Sequence, residues 1–204
     1  ATEPPPAAPA IDFTLYIPNA LTKDFRSITR GSCNTVNQTI TRVDDATGSD
    51  ITINEAPTGF LGDCPYSDTR YRLTATRFAV MTYSYINPVT TPVNYTYNAP
   101  GGTLLDSSME VGKTFGFALD TVVGGPLAAT IQKNTILSIE PSMTVMAGTF
   151  TNCLQMLITS TSSITANPIM EQVSWLCEGI GEVRRLTVGI NNSMSVMELR
   201  SFTQ

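Results

Sequence analysis

Runs of alternating apolar and polar residues, cut by Gly, Pro or Asn at intervals of about a dozen residues, extend from Ile11 nearly to the end of the chain. No stretch sustains the period of an amphipathic helix. That rhythm predicts an all-β protein: an antiparallel meander sheet, open barrel or sandwich, with an N-terminal extended arm and strand. Residues 35–43 and 50–54 flank the polar stretch Asp44-Asp45-Ala46-Thr47-Gly48-Ser49 and read as a hairpin. Residues 71–86, dense in Thr, Tyr, Val and Phe and stopped by Asn87-Pro88, read as one long strand. Further strands are expected at about 114–122, 128–140, 150–159, 169–177, 183–190 and 193–202. Residues 20–28 are the one segment read as a short helix.

The chain changes character near Ile11. Residues 1–10 are too rich in proline for helix or sheet and predict a polyproline-like arm reaching up to ~30 Å. In residues 11–17, Ile11, Phe13, Leu15 and Ile17 would share one face of a strand, with Asp12, Thr14 and Tyr16 on the other. The chain therefore divides into an arm plus strand at 1–18 and a single antiparallel β domain at 19–204. An apolar strand behind a flexible arm is what strand addition to a neighbouring subunit requires, so Ile11, Phe13, Leu15 and Ile17 are the expected subunit-interface residues.

The 204 residues suffice for one core that buries roughly 70% of the unfolded surface. The sequence starts at Ala1 without an apolar leader of its own, which reads as a mature exported protein after signal-peptide removal. Four cysteines suit an oxidising compartment and predict two disulfides. Of three pairings, Cys33 with Cys64 and Cys153 with Cys177 are preferred, because each closes a short loop within one half of the chain. Free core cysteines are the other reading; a four-sulfur metal site lacks the C-x-x-C spacing. The net charge of −5 argues against nucleic acid, and no apolar run reaches the length of a membrane helix.

Histidine is absent, which removes the commonest general base and the commonest transition-metal ligand. No enzymatic activity and no cofactor are expected. Gly179-Ile180-Gly181 lacks the third glycine of a phosphate loop and reads as a hairpin turn; Gly112-Lys113-Thr114 lacks the preceding P-loop glycine and reads as the start of a strand. Asp44, Asp45, Thr47 and Asp50 surround Gly48 as in a calcium loop, but without the closing bidentate glutamate they read as a solvated turn. Trp175 and Cys177 share a strand face, as an aromatic packed near a disulfide would.

Three ordered segments carry a resemblance over roughly residues 104–200: Val111-Gly112-Lys113-Thr114-Phe115, Ala147-Gly148-Thr149-Phe150-Thr151-Asn152-Cys153, and Trp175-Leu176-Cys177-Glu178-Gly179-Ile180-Gly181. They resemble signatures of a group of secreted bacterial β proteins of unknown function. The resemblance implies a curved antiparallel sheet similar to the open barrels of periplasmic lipoprotein carriers, and implies no catalytic residues. The chain departs from the group at Cys177 and Glu178, where alanine and proline are more usual.

Two functions are compatible with these features. The first is an extracellular structural subunit of a filament or pilus-like homopolymer, assembled by the N-terminal strand. The alternative is a periplasmic or secreted carrier of a hydrophobic ligand, with some of the eight methionines lining an adaptable cavity. Asn37-Gln38-Thr39, Asn94-Tyr95-Thr96 and Asn191-Asn192-Ser193 would accept glycans in a host with that machinery.

Overall fold

The computed structural model describes residues 11–27, 35–57, 66–86, 93–97, 101–119, 130–162, 168–189 and 193–204. The described chain is antiparallel β throughout except for one short 3-10 helix, Phe13–Tyr16. The strands are β1 Leu21–Ser27, β2 Thr35–Asp45, β3 Gly48–Pro57, β4 Tyr66–Leu73, β5 Arg77–Ile86, β6 Val93–Thr96, β7 Gly102–Asp106, β8 Thr114–Leu119, β9 Thr130–Val145, β10 Gly148–Ser162, β11 Pro168–Cys177, β12 Gly181–Gly189 and β13 Met194–Thr203. They form a single sheet in the order β6-β5-β4-β3-β2-β1-β13-β12-β11-β10-β9-β8, with β7 also paired to β5.

Every neighbour in that order is a neighbour in sequence, apart from the pair β1 and β13. The first and last strands meet through a ladder from Thr22↔Thr203 to Ser27↔Met197. β6 and β7 lie end to end along β5, β6 on Thr82 to Tyr85 and β7 on Arg77 to Val80, so together they occupy one strand position. β7 then abuts β8, with which it shares contacts but no strand pairing. The result is a nearly closed up-and-down barrel whose seam runs between β7 and β8.

The two rims differ. At one, β2–β3, β4–β5, β9–β10 and β11–β12 are joined by only two or three residues, 46–47, 74–76, 146–147 and 178–180, and only the β7–β8 connection, 107–113, is longer. At the other, the connections 28–34, 58–65, 87–92, 120–129 and 163–167 are all longer. The 3-10 helix closes the short-turn rim. Phe13, Tyr16 and Ile17 are buried there, Gly179 N–H donates to Leu15 O at 2.8 Å, and Pro18 lies where a Cβ on Gly181 would be. Gly181 has φ +70, so both its backbone and its contact with Pro18 require glycine.

Residues 11–17 therefore do not form the expected strand. Asp12 caps the turn by accepting from Thr14 N–H at 3.0 Å, Ile17 N–H donates to Thr14 O at 3.2 Å, and Pro18 has no N–H to offer a ladder. Three residues per turn bring Phe13 and Tyr16 to the same side and turn Leu15 outward, where it is 46% exposed. Phe13 and Ile17 enter this chain's own core and Ile11 packs against its edge. The four residues thus lack the common face that a donated strand would need. The arm, 1–10, lies outside the described residues.

Two other expectations are corrected. Residues 20–28 are not helical: Leu21, Lys23 and Phe25 alternate inward along β1. The long strand at 71–86 is two strands, turned at Thr74-Ala75-Thr76, where the Thr74 hydroxyl accepts from Arg77 N–H at 3.2 Å and Thr74 N–H donates to Arg77 O at 2.8 Å. The hairpin around 44–49 is found, with Asp45 paired to Gly48.

Cys153 and Cys177 are directly opposed on β10 and β11 and joined by a disulfide, with their Cα atoms 4.0 Å apart. Their separation of 24 residues makes the cross-link worth about 3.5 kcal/mol in the chain-entropy model. Cys33 and Cys64 lie outside the described residues.

Phe13 at 2% exposure is the side chain to test for the docked segment. Phe13→Ala should lower the unfolding free energy by about 3 kcal/mol, independently of protein concentration. The measurement is urea unfolding at two widely different concentrations. A loss that appears only where subunits associate would assign Phe13 to a neighbour instead.

Candidate functional site in the barrel interior

Strand alternation sends one side chain in two into the barrel, and these side chains leave a cavity of about 530 Å³. Tyr16, Ile17 and Pro18 form its floor. One wall is apolar, carried by Ile53, Phe78, Val80, Leu104, Met156 and Ile158. Tyr71 and Phe78 stack at 4.9 Å between ring centroids.

The polar lining includes Thr69, Gln132, Ser160, Gln172 and Ser174, together with a charged group built on one row. Lys23 on β1 faces Gln38 on β2, Gln38 faces Glu55 on β3, and Glu55 faces Ser67 on β4; all four line the cavity. Arg185 on β12 reaches across the interior to Glu55, Nη2 to Oε1 at 2.8 Å, and its Nε also donates to Glu182 at 3.1 Å. Glu182 accepts from the Ser174 hydroxyl at 2.8 Å, and Glu55 accepts from Gln38 Nε2 at 2.9 Å. Lys23 Nζ donates to the Glu182 backbone carbonyl at 2.9 Å and lies 5.9 Å from the Phe25 ring centroid. Two cations and two carboxylates give the group no net charge. Gln38 is 3% exposed, and among the described residues its Oε1 has no hydrogen-bond partner.

The environment moves these ionisations. Burial pushes the Lys23 ammonium down to about 8, further lowered by Arg185 and partly offset by the Glu182 and Glu55 carboxylates. Burial alone would raise the Glu55 carboxyl, but the Arg185 charge, its hydrogen bond and that of Gln38 bring it below its ordinary value. Arg185 stays charged because the attraction of Glu182 and Glu55 outweighs its desolvation. Burial raises the Tyr71 phenol, and the Glu55 charge adds to the rise.

The other sequence candidates fall elsewhere. Gly179-Ile180-Gly181 is the β11–β12 hairpin turn, and β8 begins at Thr114 directly after Gly112-Lys113. The acidic turn is held by arginines: Arg72 pairs with Asp45 at 2.7 Å and Asp50 at 2.9 Å, and Arg42 with Asp44 at 2.9 Å. Trp175 packs against the core with the Arg184 guanidinium 5.3 Å from its ring centroid. Met156 and Met170 line the cavity, whereas Met146 and Met194 are exposed.

Sequence reasoning missed Lys23, Gln38, Glu55, Glu182 and Arg185. The signal was a charged or amide residue at the apolar phase of a strand: Lys23 between Leu21 and Phe25, Gln38 two before Ile40, Glu55 two after Ile53. Reading residues 20–28 as helix hid the first of these.

No protein-family model matches the chain, and no curated protein matches it in sequence. Two solved structures share its fold. One is an exported protein with a YmcC-like fold from Bacteroides fragilis, 14% identical, covering 93% of this chain and 99% of its own, with a TM-score of 0.54. The other is a lipoprotein from Parabacteroides distasonis, 14% identical, covering 93% of this chain and 98% of its own, with a TM-score of 0.55. At that identity the likeness is one of fold, and it extends over 93% of the chain.

Lys23 gives the interior a pH signature. The unfolded chain keeps this proton up to about 10.5, whereas the folded chain releases it near 8, so the stability contributed by this group rises with pH between those values. Tyr16 and Tyr71, both raised by burial from 10.0, act in the opposite sense above about pH 10. Urea unfolding should therefore show stability climbing from pH 8 to pH 10, and Lys23→Met should flatten that climb. An unchanged slope in the variant would contradict the assignment.

Proposed function

We propose that this chain is an exported, non-catalytic carrier that holds an apolar or amphipathic small molecule inside its barrel. The observation behind the reading is the cavity: about 530 Å³, floored by the chain's own N-terminal turn and walled mainly by aliphatic and aromatic side chains. Small-molecule sites typically measure ~300–1,000 Å³ and combine an apolar lining with a few placed polar groups. Met156 and Met170 supply adaptable contact surface. The Cys153–Cys177 disulfide supports an oxidising compartment, as does a fold shared with an exported protein and a lipoprotein. The similarity of the three second-half signatures to secreted β proteins points the same way.

The filament reading rested on an apolar strand free to leave its own domain. With Phe13 and Ile17 in the core and Leu15 turned outward, that support is withdrawn, and the carrier reading is preferred.

The test is ligand recovery followed by filling of the cavity. Organic extraction of the purified protein and mass spectrometry should yield a stoichiometric apolar molecule, and a polarity-sensitive fluorescent dye should bind the extracted protein one to one. Ile158→Trp should weaken dye binding at least tenfold, while Leu137→Trp on the exposed face of β9 should leave it unchanged. No extracted molecule together with no dye binding would sink the proposal.

A further inference from the structure

We propose that the row Lys23–Gln38–Glu55 receives the hydroxyl end of a neutral amphipathic ligand, and that this barrel discriminates against carboxylate and amine ligands of the same chain length. The inference rests on the carrier reading and adds the chemistry of the polar end.

Lys23 and Gln38 are direct cross-strand partners, so their Cβ atoms stand about 5 Å apart on the same inward face. Lys23 Nζ uses one of its three N–H groups on the Glu182 carbonyl, and the described residues supply no hydrogen-bond acceptor for the other two. Gln38 Nε2 is committed to Glu55, which fixes the amide orientation and leaves Oε1 as a buried acceptor without a donor among the described residues. Cross-strand neighbours thus bring one donor and one acceptor to the same inward face, which is the complement of a hydroxyl whose oxygen accepts from Lys23 while its hydrogen is donated to Gln38.

Charge excludes the alternatives. Arg185 is already engaged by Glu55 and Glu182, and the group as a whole is neutral. A ligand carboxylate would bring a third negative charge beside those two glutamates and could not donate to Gln38 Oε1. An ammonium would bring a third positive charge beside Lys23 and Arg185. Beside side chains as deeply buried as Lys23 and Gln38, an uncompensated charge is far more costly than an uncharged hydroxyl with both bonds made. The tail of such a ligand would lie along Ile53, Val80, Met156 and Ile158.

The experiment is displacement of the bound fluorescent dye at pH 7 by decanol, its methyl ether, decanoate and decylamine. Decanol should displace the dye at least tenfold more tightly than the other three, the ether failing because it accepts but cannot donate. Gln38→Leu should bring decanol and its ether to within threefold of each other. The ether comparison uses the unaltered chain, so it decides the matter even if the variant does not fold. Equal displacement by decanol and ether, or tighter displacement by decanoate or decylamine, would overturn the hydroxyl assignment and leave the carrier standing. Failure of the dye itself to bind would overturn both.

Discussion

The ladder between β1 and β13 is the constraint on which the rest of the molecule depends. Without it the chain would be two meanders, β1 to β7 and β8 to β13, each with a long unpaired edge and one apolar face. Joining the first strand to the last makes the sheet nearly continuous around an interior, and the Arg200–Asp24 ion pair, Nε to Oδ2 at 2.6 Å, lies across the join. This pairing has the greatest sequence separation in the sheet, so its loop-closure cost is large and it is expected to form late in folding. The cavity exists only once it has formed.

That interior holds charges that a purely structural core would avoid. Bringing Lys23, Glu55, Glu182 and Arg185 out of water costs several kcal/mol per ion, and their mutual attraction at best roughly offsets it. The lowered Lys23 pKa shows on which side of the balance that residue falls: its charged form is destabilised by the fold despite two nearby carboxylates. Leucine or methionine at the same positions would be a simpler way to fill a barrel. The hydrogen bonds that orient each member, Gln38 on Glu55 and Ser174 on Glu182, instead fix a polar surface in a defined geometry beside an apolar wall. Such a surface is better suited to orienting a bound molecule than to stabilising the fold.

The all-β class and most strand positions were legible because their turns use Gly, Asn or Pro, whose backbone preferences are written in the sequence. The β11–β12 turn at Gly179 and Gly181 is the plainest case. The turn at Thr74-Ala75-Thr76 was invisible because it is held by a backbone hydrogen bond and a threonine hydroxyl, and no residue there demands a turn by itself. Ile11 to Ile17 has a faultless strand alternation, yet Asp12 as a cap and Pro18 as a stop favour a compact turn, and the open end of the barrel offers it a place to bury Phe13. Local pattern could not reveal that, since the burial site is made by strands more than a hundred residues away. The polar row was only partly legible: each member breaks the phase of its own strand, but their convergence depends on registers between strands.

On the carrier reading, the two rims differ in what entry would require. Four of the connections at one rim are turns of two or three residues that leave little chain to move, and that rim is also sealed by Phe13, Tyr16 and Ile17. A ligand entering there would have to displace three buried side chains and the Gly179–Leu15 hydrogen bond. The opposite rim carries the longer connections, and the side chains nearest it in the cavity, Ser67, Tyr83, Ile169 and Met170, include polar as well as apolar groups. Entry from that side requires no rupture of the floor. A molecule arriving there would pass the mixed collar before reaching Lys23 and Gln38, so desolvation of its polar end would proceed in steps, with the last step completed where donor and acceptor stand ready.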